Sequence, residues 1–297
     1  MTLPNGLSAF PITPAEPGGR VDVGALRGLV APLREAGVDS IGLLGSTGTY
    51  PYLSRQERRR AVEAALDEVG ARIPILVGVG ALRTDEAVAL AQDARAMGAS
   101  AGLLAAVSYT PLTEDEVFAH VVTVARESGL PLCLYDNPGT THFTFTPALV
   151  ARLGREPGVI ALKSPAPARP DIAAHLAALR AAVPEGFSLG YSGDWHAAEA
   201  LLAGGDTWYS VMGGLFPHTA LAIVRAVRRG DHTAARDLDA RLQPLWSLFR
   251  EFSSLRVMYA CAGALGRCRR DPPRPILPLP DFARDRVVQT LRSLELR

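Results

Sequence analysis

The chain carries thirty arginines and a single lysine, Lys163, which closes the apolar run Gly158-Val159-Ile160-Ala161-Leu162 just before Ser164-Pro165. A guanidinium stays protonated at any working pH, whereas a buried amine can lose its proton and act as a nucleophile. A sequence that uses arginine wherever plain positive charge will do, and keeps one lysine at the end of an apolar strand, points to amine chemistry at that position. The bland alternative is a surviving surface lysine at a strand terminus. Burial in an apolar interior lowers an amine's pKa from about 10.4 and supplies free base near neutrality. Such an amine attacks a keto carbon to give an iminium, which accepts electrons as the neighbouring carbon–carbon bond breaks or forms.

Proton shuttling around that iminium needs a hydroxylic acid/base, and Tyr135, at the end of the apolar run Leu132–Tyr135, is the best-placed candidate. A keto acid also needs an anchor for its carboxylate. The small residues of Gly45-Ser46-Thr47-Gly48-Thr49 allow backbone N–H groups to face an anion. Each piece has a plainer reading: Tyr135 as an ordinary strand-end aromatic, the 45–49 stretch as a tight turn, and Tyr109 as a loop aromatic packing locally. The six histidines are scattered, and Cys133, Cys261 and Cys268 form neither metal spacing nor an even disulfide set, which argues against a metal-dependent aldolase.

The elements that must position these residues alternate along the chain. Strands are expected at Leu7–Ile12, Ser40–Leu44, Ile73–Val79, Ala101–Val107, Leu132–Tyr135, Gly158–Lys163, Phe187–Tyr191 and Thr207–Met212. Between them lie helix patterns opened by Asp22, Ser54 (with Glu57 completing a capping box), Thr84, Thr113, Thr146, Pro170 and Asp194. Strand–helix units of this kind with short connections predict an α/β fold, a (β/α)8 TIM barrel over residues 1–214. A doubly wound open sheet ranks below it, since no glycine-rich dinucleotide turn is present. Residues 215–297 read as a C-terminal helical extension, with helices at Thr219–Arg229, His232–Glu251, Leu255–Leu265 and Phe282–Leu294 and a proline-rich loop over Asp271–Pro280. Barrel chemistry sits at the C-terminal ends of the strands, and the candidates above all fall there.

A formal net charge of +1 gives no electrostatic reason to expect nucleic acid or an acidic membrane surface. No apolar stretch reaches the roughly 18 residues of a membrane span, and Met1–Phe10 shows no basic segment followed by an apolar run. With its odd cysteine count, the chain is expected to be cytoplasmic.

The residues together resemble the dihydrodipicolinate synthase/N-acetylneuraminate lyase family, the pyruvate-dependent Schiff-base aldolases. The resemblance runs from Ala9-Phe10-Pro11-Ile12-Thr13-Pro14 through the C-terminal helices, and its most specific marks are Gly45–Gly48, Tyr135–Pro138 and Lys163. It implies a covalent Lys163 Schiff base with pyruvate or another 2-keto acid and no separate cofactor. It also implies Tyr135 as acid/base, with Ser46 and Thr47 on the carboxylate and Thr47 helping to relay protons. Tyr109 looks like the family's tyrosine that reaches a neighbouring subunit, within an expected homotetramer built as a dimer of dimers. Gly193 and Tyr209 match positions whose backbone lines the pocket. Three departures bear on substrate: Thr49 and Ser164 stand where the synthases carry glutamate, and Thr140 where they carry the arginine that holds the second substrate's carboxylate. The reading is a lyase or aldolase acting on a hydroxylated 2-keto acid with pyruvate as product or donor. The alternatives are 4-hydroxy-tetrahydrodipicolinate synthase and a barrel that binds a keto acid or sugar acid without turnover.

Overall fold

In the computed structural model, residues 3–168, 170–269 and 271–297 are described. Eight parallel strands close on themselves in chain order: β1 (Gly6–Ala9), β2 (Ser40–Leu43), β3 (Ile75–Gly78), β4 (Ala101–Ala105), β5 (Leu132–Tyr135), β6 (Val159–Pro165), β7 (Ser188–Ser192) and β8 (Thr207–Ser210). β8 pairs back onto β1, from Gly6 opposite Thr207 to Ala9 opposite Ser210, so the sheet has no edge and the open doubly wound alternative is excluded. The helices that return the chain are α1 (Val23–Ala36), α2 (Arg55–Val69), α3 (Thr84–Met97), α4 (Glu114–Ser128), the short α5 (Pro138–Thr141), α6 (Pro147–Leu153), α7 (Ile172–Ala182) and α8 (Asp194–Leu202). α9 (Pro217–Arg228) follows β8 and packs on β1 and α1, taking the eighth place in the helical ring. Beyond it come α10 (His232–Arg241), α11 (Gln243–Phe252), α12 (Ser254–Ala264) and α13 (Asp281–Ser293).

Helix starts follow the capping chemistry read from the sequence. Asp22, Thr113 and Thr146 each accept a first-turn N–H, and Thr113 with Glu116 forms a complete capping box. Ser54 caps α2 as expected, but the Glu57 carboxylate is engaged elsewhere: it accepts the Val21 N–H at 2.8 Å and pairs with Arg60, tying α2 to the loop after β1. The single helix expected over 232–251 is two, α10 and α11. Pro244 enters the first turn of α11, where its missing N–H is harmless; continued helix would set its ring against the carbonyl four residues back. β8 is also shorter than expected, because Met212–Gly214 turn into a 3-10 helix whose leading N–H groups bond a side chain, Asp194.

The closed sheet sorts its side chains into two cores. Leu7, Ile41, Leu104, Leu134 and Leu162 face the helices within one large cluster, while Phe10, Leu76, Leu103, Cys133, Tyr135, Ala161 and Tyr209 form a smaller one inside the barrel. Period-two alternation is therefore present in strands whose sequences look apolar throughout. Lys163 follows Ala161 by two residues and shares its inward direction. No helix among the described residues is long and apolar enough to cross a membrane.

Candidate active site

Lys163 lies in β6 opposite Tyr135 of β5 on one side and Gly190 of β7 on the other. It is 3% exposed. Its Nζ sits 3.8 Å from the centroid of the Phe10 ring and 4.2 Å from that of Tyr135, with the Tyr209 ring 5.7 Å away. Aromatic faces attract a cation, but by only about 0.5–2 kcal/mol, which does not replace the hydration an ammonium loses on burial. Desolvation wins and pushes the amine down to about 7, against the smaller opposing influence of Cys133 and Asp194. A large fraction of Lys163 is thus free base at neutral pH.

The neighbouring phenol is part of a three-membered polar cluster. Tyr135 Oη lies 3.2 Å from Ser46 Oγ, and Asn137 Nδ2 donates to Tyr135 Oη at 3.0 Å and to Ser46 Oγ at 3.1 Å. Burial pushes the phenol up to about 12, while the Ser46 hydrogen bond pulls the other way. Tyr135 therefore holds its proton at neutral pH and is poised as an acid. Asn137 was not a candidate from sequence, because an asparagine before proline reads as turn chemistry. The one available signal was its place two residues beyond Tyr135, which in an extended chain puts both side chains on one side.

The loop after β2 reaches this cluster through a tight turn. Leu44 and Thr49 both adopt φ 55°, and a Cβ on Gly48 would lie 2.9 Å from Leu44 N and Cα, so only glycine fits there. The turn brings the Ser46 hydroxyl against the Tyr135 phenol, and Thr47, expected to help relay protons, is buried next in the chain. Thr49, expected among the substrate-binding residues, is fully buried and its Oγ1 has no hydrogen-bond partner among the described residues, while the nearby Tyr259 phenol of α12 donates to the Thr13 carbonyl at 2.7 Å. Ser164 is likewise buried, its carbonyl accepting from Ser192 Oγ.

Thr140 is exposed in α5, its hydroxyl donating to the Asn137 carbonyl at 3.2 Å. Tyr109, on the loop after β4, is 97% exposed. Gly193 starts α8 at φ 83°, and Tyr209 is buried inside the barrel with its hydroxyl 3.5 Å from Cys133 Sγ. Next to Gly193, the buried Asp194 accepts from Trp208 Nε1 at 2.7 Å and from the N–H groups of Val211 and Met212 at 3.2 Å each. That carboxylate locks the end of β8 to the start of α8, and burial raises its pKa to about 6 despite those bonds. Among the described residues, no group of three or more His, Cys, Asp and Glu side chains is placed to hold a metal ion.

The profile described as the Dihydrodipicolinate synthetase family matches residues 3–294. The chain belongs to that family. It is similar to the 4-hydroxy-tetrahydrodipicolinate synthase of Methylococcus capsulatus, 35% identical over 283 residues that cover 95% of each protein. Among solved structures, the dihydrodipicolinate synthase of Agrobacterium tumefaciens is 54% identical with a TM-score of 0.95 over 98% of both chains. The Acinetobacter baumannii synthase, crystallised with pyruvate, is 26% identical with a TM-score of 0.91 over 100% of both chains. As a member of the dihydrodipicolinate synthetase family, the chain is a carbon–carbon lyase of the pyruvate-dependent aldolase type, working through a covalent lysine Schiff base without an external cofactor. A barrel that merely binds its ligand is set aside.

Proposed function

We propose that Lys163 forms a Schiff base with pyruvate and that Tyr135 moves the protons of the reaction. The observation that carries this reading is a buried amine, lowered to about 7, facing a protonated phenol across adjacent strands. The free amine attacks the keto carbon, Tyr135 protonates the departing hydroxyl as water leaves, and the resulting iminium stabilises loss of a proton or a carbon substituent from the adjacent carbon. The Ser46–Thr47 turn receives the carboxylate, and the Gly193 and Tyr209 backbone lines the pocket beside it. Tyr109, exposed on its own subunit, reaches a neighbour's site in a homotetramer built as a dimer of dimers. Three unpaired cysteines suit a reducing cytoplasm.

For the second substrate the comparisons favour the reaction named for the curated relatives, condensation of pyruvate with aspartate semialdehyde by a 4-hydroxy-tetrahydrodipicolinate synthase. A second reading, pyruvate-releasing cleavage of a hydroxylated 2-keto acid, is favoured by one residue. Of Thr49, Thr140 and Ser164, Thr140 alone is exposed. A hydroxyl there leaves the semialdehyde's carboxylate without an ionic partner, a loss of roughly 1.5–3 kcal/mol. The deciding measurement compares kcat/KM for both reactions in the wild type and in Thr140→Arg. Efficient wild-type condensation that the arginine does not improve supports the synthase; pyruvate release from hydroxylated substrates, with condensation appearing only in Thr140→Arg, supports cleavage. Both readings require one borohydride-trapped pyruvate adduct, on Lys163, that Lys163→Arg abolishes. An internal adduct persisting in that variant overturns both.

A further inference from the structure

We propose that Asn137 is a positioning residue for Tyr135, orienting the phenol's proton toward the substrate and holding the phenolate once that proton has left. The inference rests on the Schiff-base reading of the site above. It begins with a count of protons. Asn137 Nδ2, Ser46 Oγ and Tyr135 Oη form a triangle with sides of 3.0, 3.1 and 3.2 Å. The amide brings two protons and each hydroxyl one, so four are available for three contacts. The amide donates along two sides, one hydroxyl donates along the third, and a single hydroxyl proton is left over. When Ser46 donates to Tyr135, the phenol oxygen accepts two hydrogen bonds and the spare proton is its own, free to be given to the reacting group. When that proton leaves, the phenolate already has two donors in place and no group need reorganise.

The backbone around Asn137 is built to hold the amide still. Its carbonyl accepts from the Thr140 and Thr141 N–H groups at 2.9 and 3.0 Å and from their hydroxyls at 3.2 and 3.1 Å. Pro138 follows and restricts the residue before it. Asp136, on the other side, donates its N–H to the Lys163 carbonyl at 2.8 Å, fastening the turn to the strand that carries the amine. Thr140 and Thr141 are thus accounted for as clamps on this turn. An apolar residue at 137 would leave the buried phenolate with Ser46 alone, which opposes the burial of its charge with half the donors.

The test uses a half-reaction that needs no second substrate, the exchange of pyruvate methyl protons with D2O followed by NMR. Wild type, Asn137→Val, Asn137→Asp, Tyr135→Phe and the Tyr135→Phe/Asn137→Val pair are compared, with borohydride trapping alongside. Asn137→Val is expected to lower the saturating exchange rate about 10- to 100-fold, the range for a lost charge-assisted hydrogen bond, with little change in half-saturating pyruvate. Asn137→Asp, isosteric but without N–H donors, should be at least as impaired, and Asn137→Val should add nothing in the Tyr135→Phe background. Wild-type exchange that Asn137→Val leaves unchanged overturns the proposal, as do losses that multiply in the double variant or an Asn137→Asp enzyme with the wild-type rate. Absence of both exchange and trapping in the wild type overturns the functional reading itself, and this proposal with it.

Discussion

Replacing Lys163 with methionine should make the protein more stable while ending its activity. Methionine nearly conserves the side-chain volume and places no charge among the Phe10, Tyr135 and Tyr209 rings. Burial lowers the wild-type amine from 10.5 to about 7, which at 1.36 kcal/mol per pKa unit corresponds to roughly 5 kcal/mol of folding free energy. Relaxation around the site, described by an effective dielectric near 20, brings the realised gain to about 2–4 kcal/mol. The sign follows from proton binding. Below pH 7 both folded and unfolded chains carry a charged amine, and the cost of burying it is fully present. Between pH 7 and 10.5 the unfolded chain still binds the proton that the folded one has lost, so wild-type stability rises with pH and the cost fades. Urea unfolding of both proteins at matched concentration should therefore show the largest methionine advantage at pH 6, shrinking steadily toward pH 9.5. Groups not coupled to the amine titrate in both proteins and cancel in the difference, and the influence of Asp194 and Cys133 on it is smaller than its desolvation. A methionine variant no more stable than wild type at pH 6, or an advantage that grows with pH, would refute the desolvated-amine argument.

Tyr109→Phe should lower kcat at least about 10-fold with an unchanged monomer fold, because the fully exposed phenol is expected to act on a neighbouring subunit. Wild-type enzyme that sediments as an active monomer at assay concentration would overturn that role. Gly42→Ala should cost roughly 1–3 kcal/mol and slow pyruvate trapping, since its Cβ would fall within 2.1 Å of the Phe10 ring that covers the amine. Unaltered trapping kinetics would show that Phe10 does not position Lys163.

The barrel was legible because most strands are short apolar runs bounded by turn residues, and α1, α2, α4 and α6 open on side chains that cap them. What escaped was set by contacts between distant parts of the chain. Pro244 stands in the first turn of α11, and the single helix expected over 232–251 breaks there. Val211 and Met212 looked like strand until their N–H groups were claimed by Asp194, seventeen and eighteen residues earlier. The site was legible where strand direction decides it, at Lys163 and Tyr135. It was less so in the loop after β2, where spacing cannot say which of Ser46, Thr47 and Thr49 turns inward. Left-handed backbone at Leu44 and Thr49 shapes that loop, which sets Ser46 against the phenol and leaves Thr49 fully buried.

The solitary lysine has a consequence outside the catalytic cycle. Aldehydes and keto acids condense readily with exposed primary amines, and an enzyme that turns over such carbonyls is continually exposed to glycation by its own reactants. Here the outer surface carries guanidinium groups, and the chain's one ε-amine is sealed inside the barrel. Side-chain acetylation and isopeptide conjugation of ubiquitin-like tags meet the same obstacle. Under native conditions the only carbonyl that can find a side-chain amine is one small enough to enter the barrel mouth, and there the encounter is the reaction.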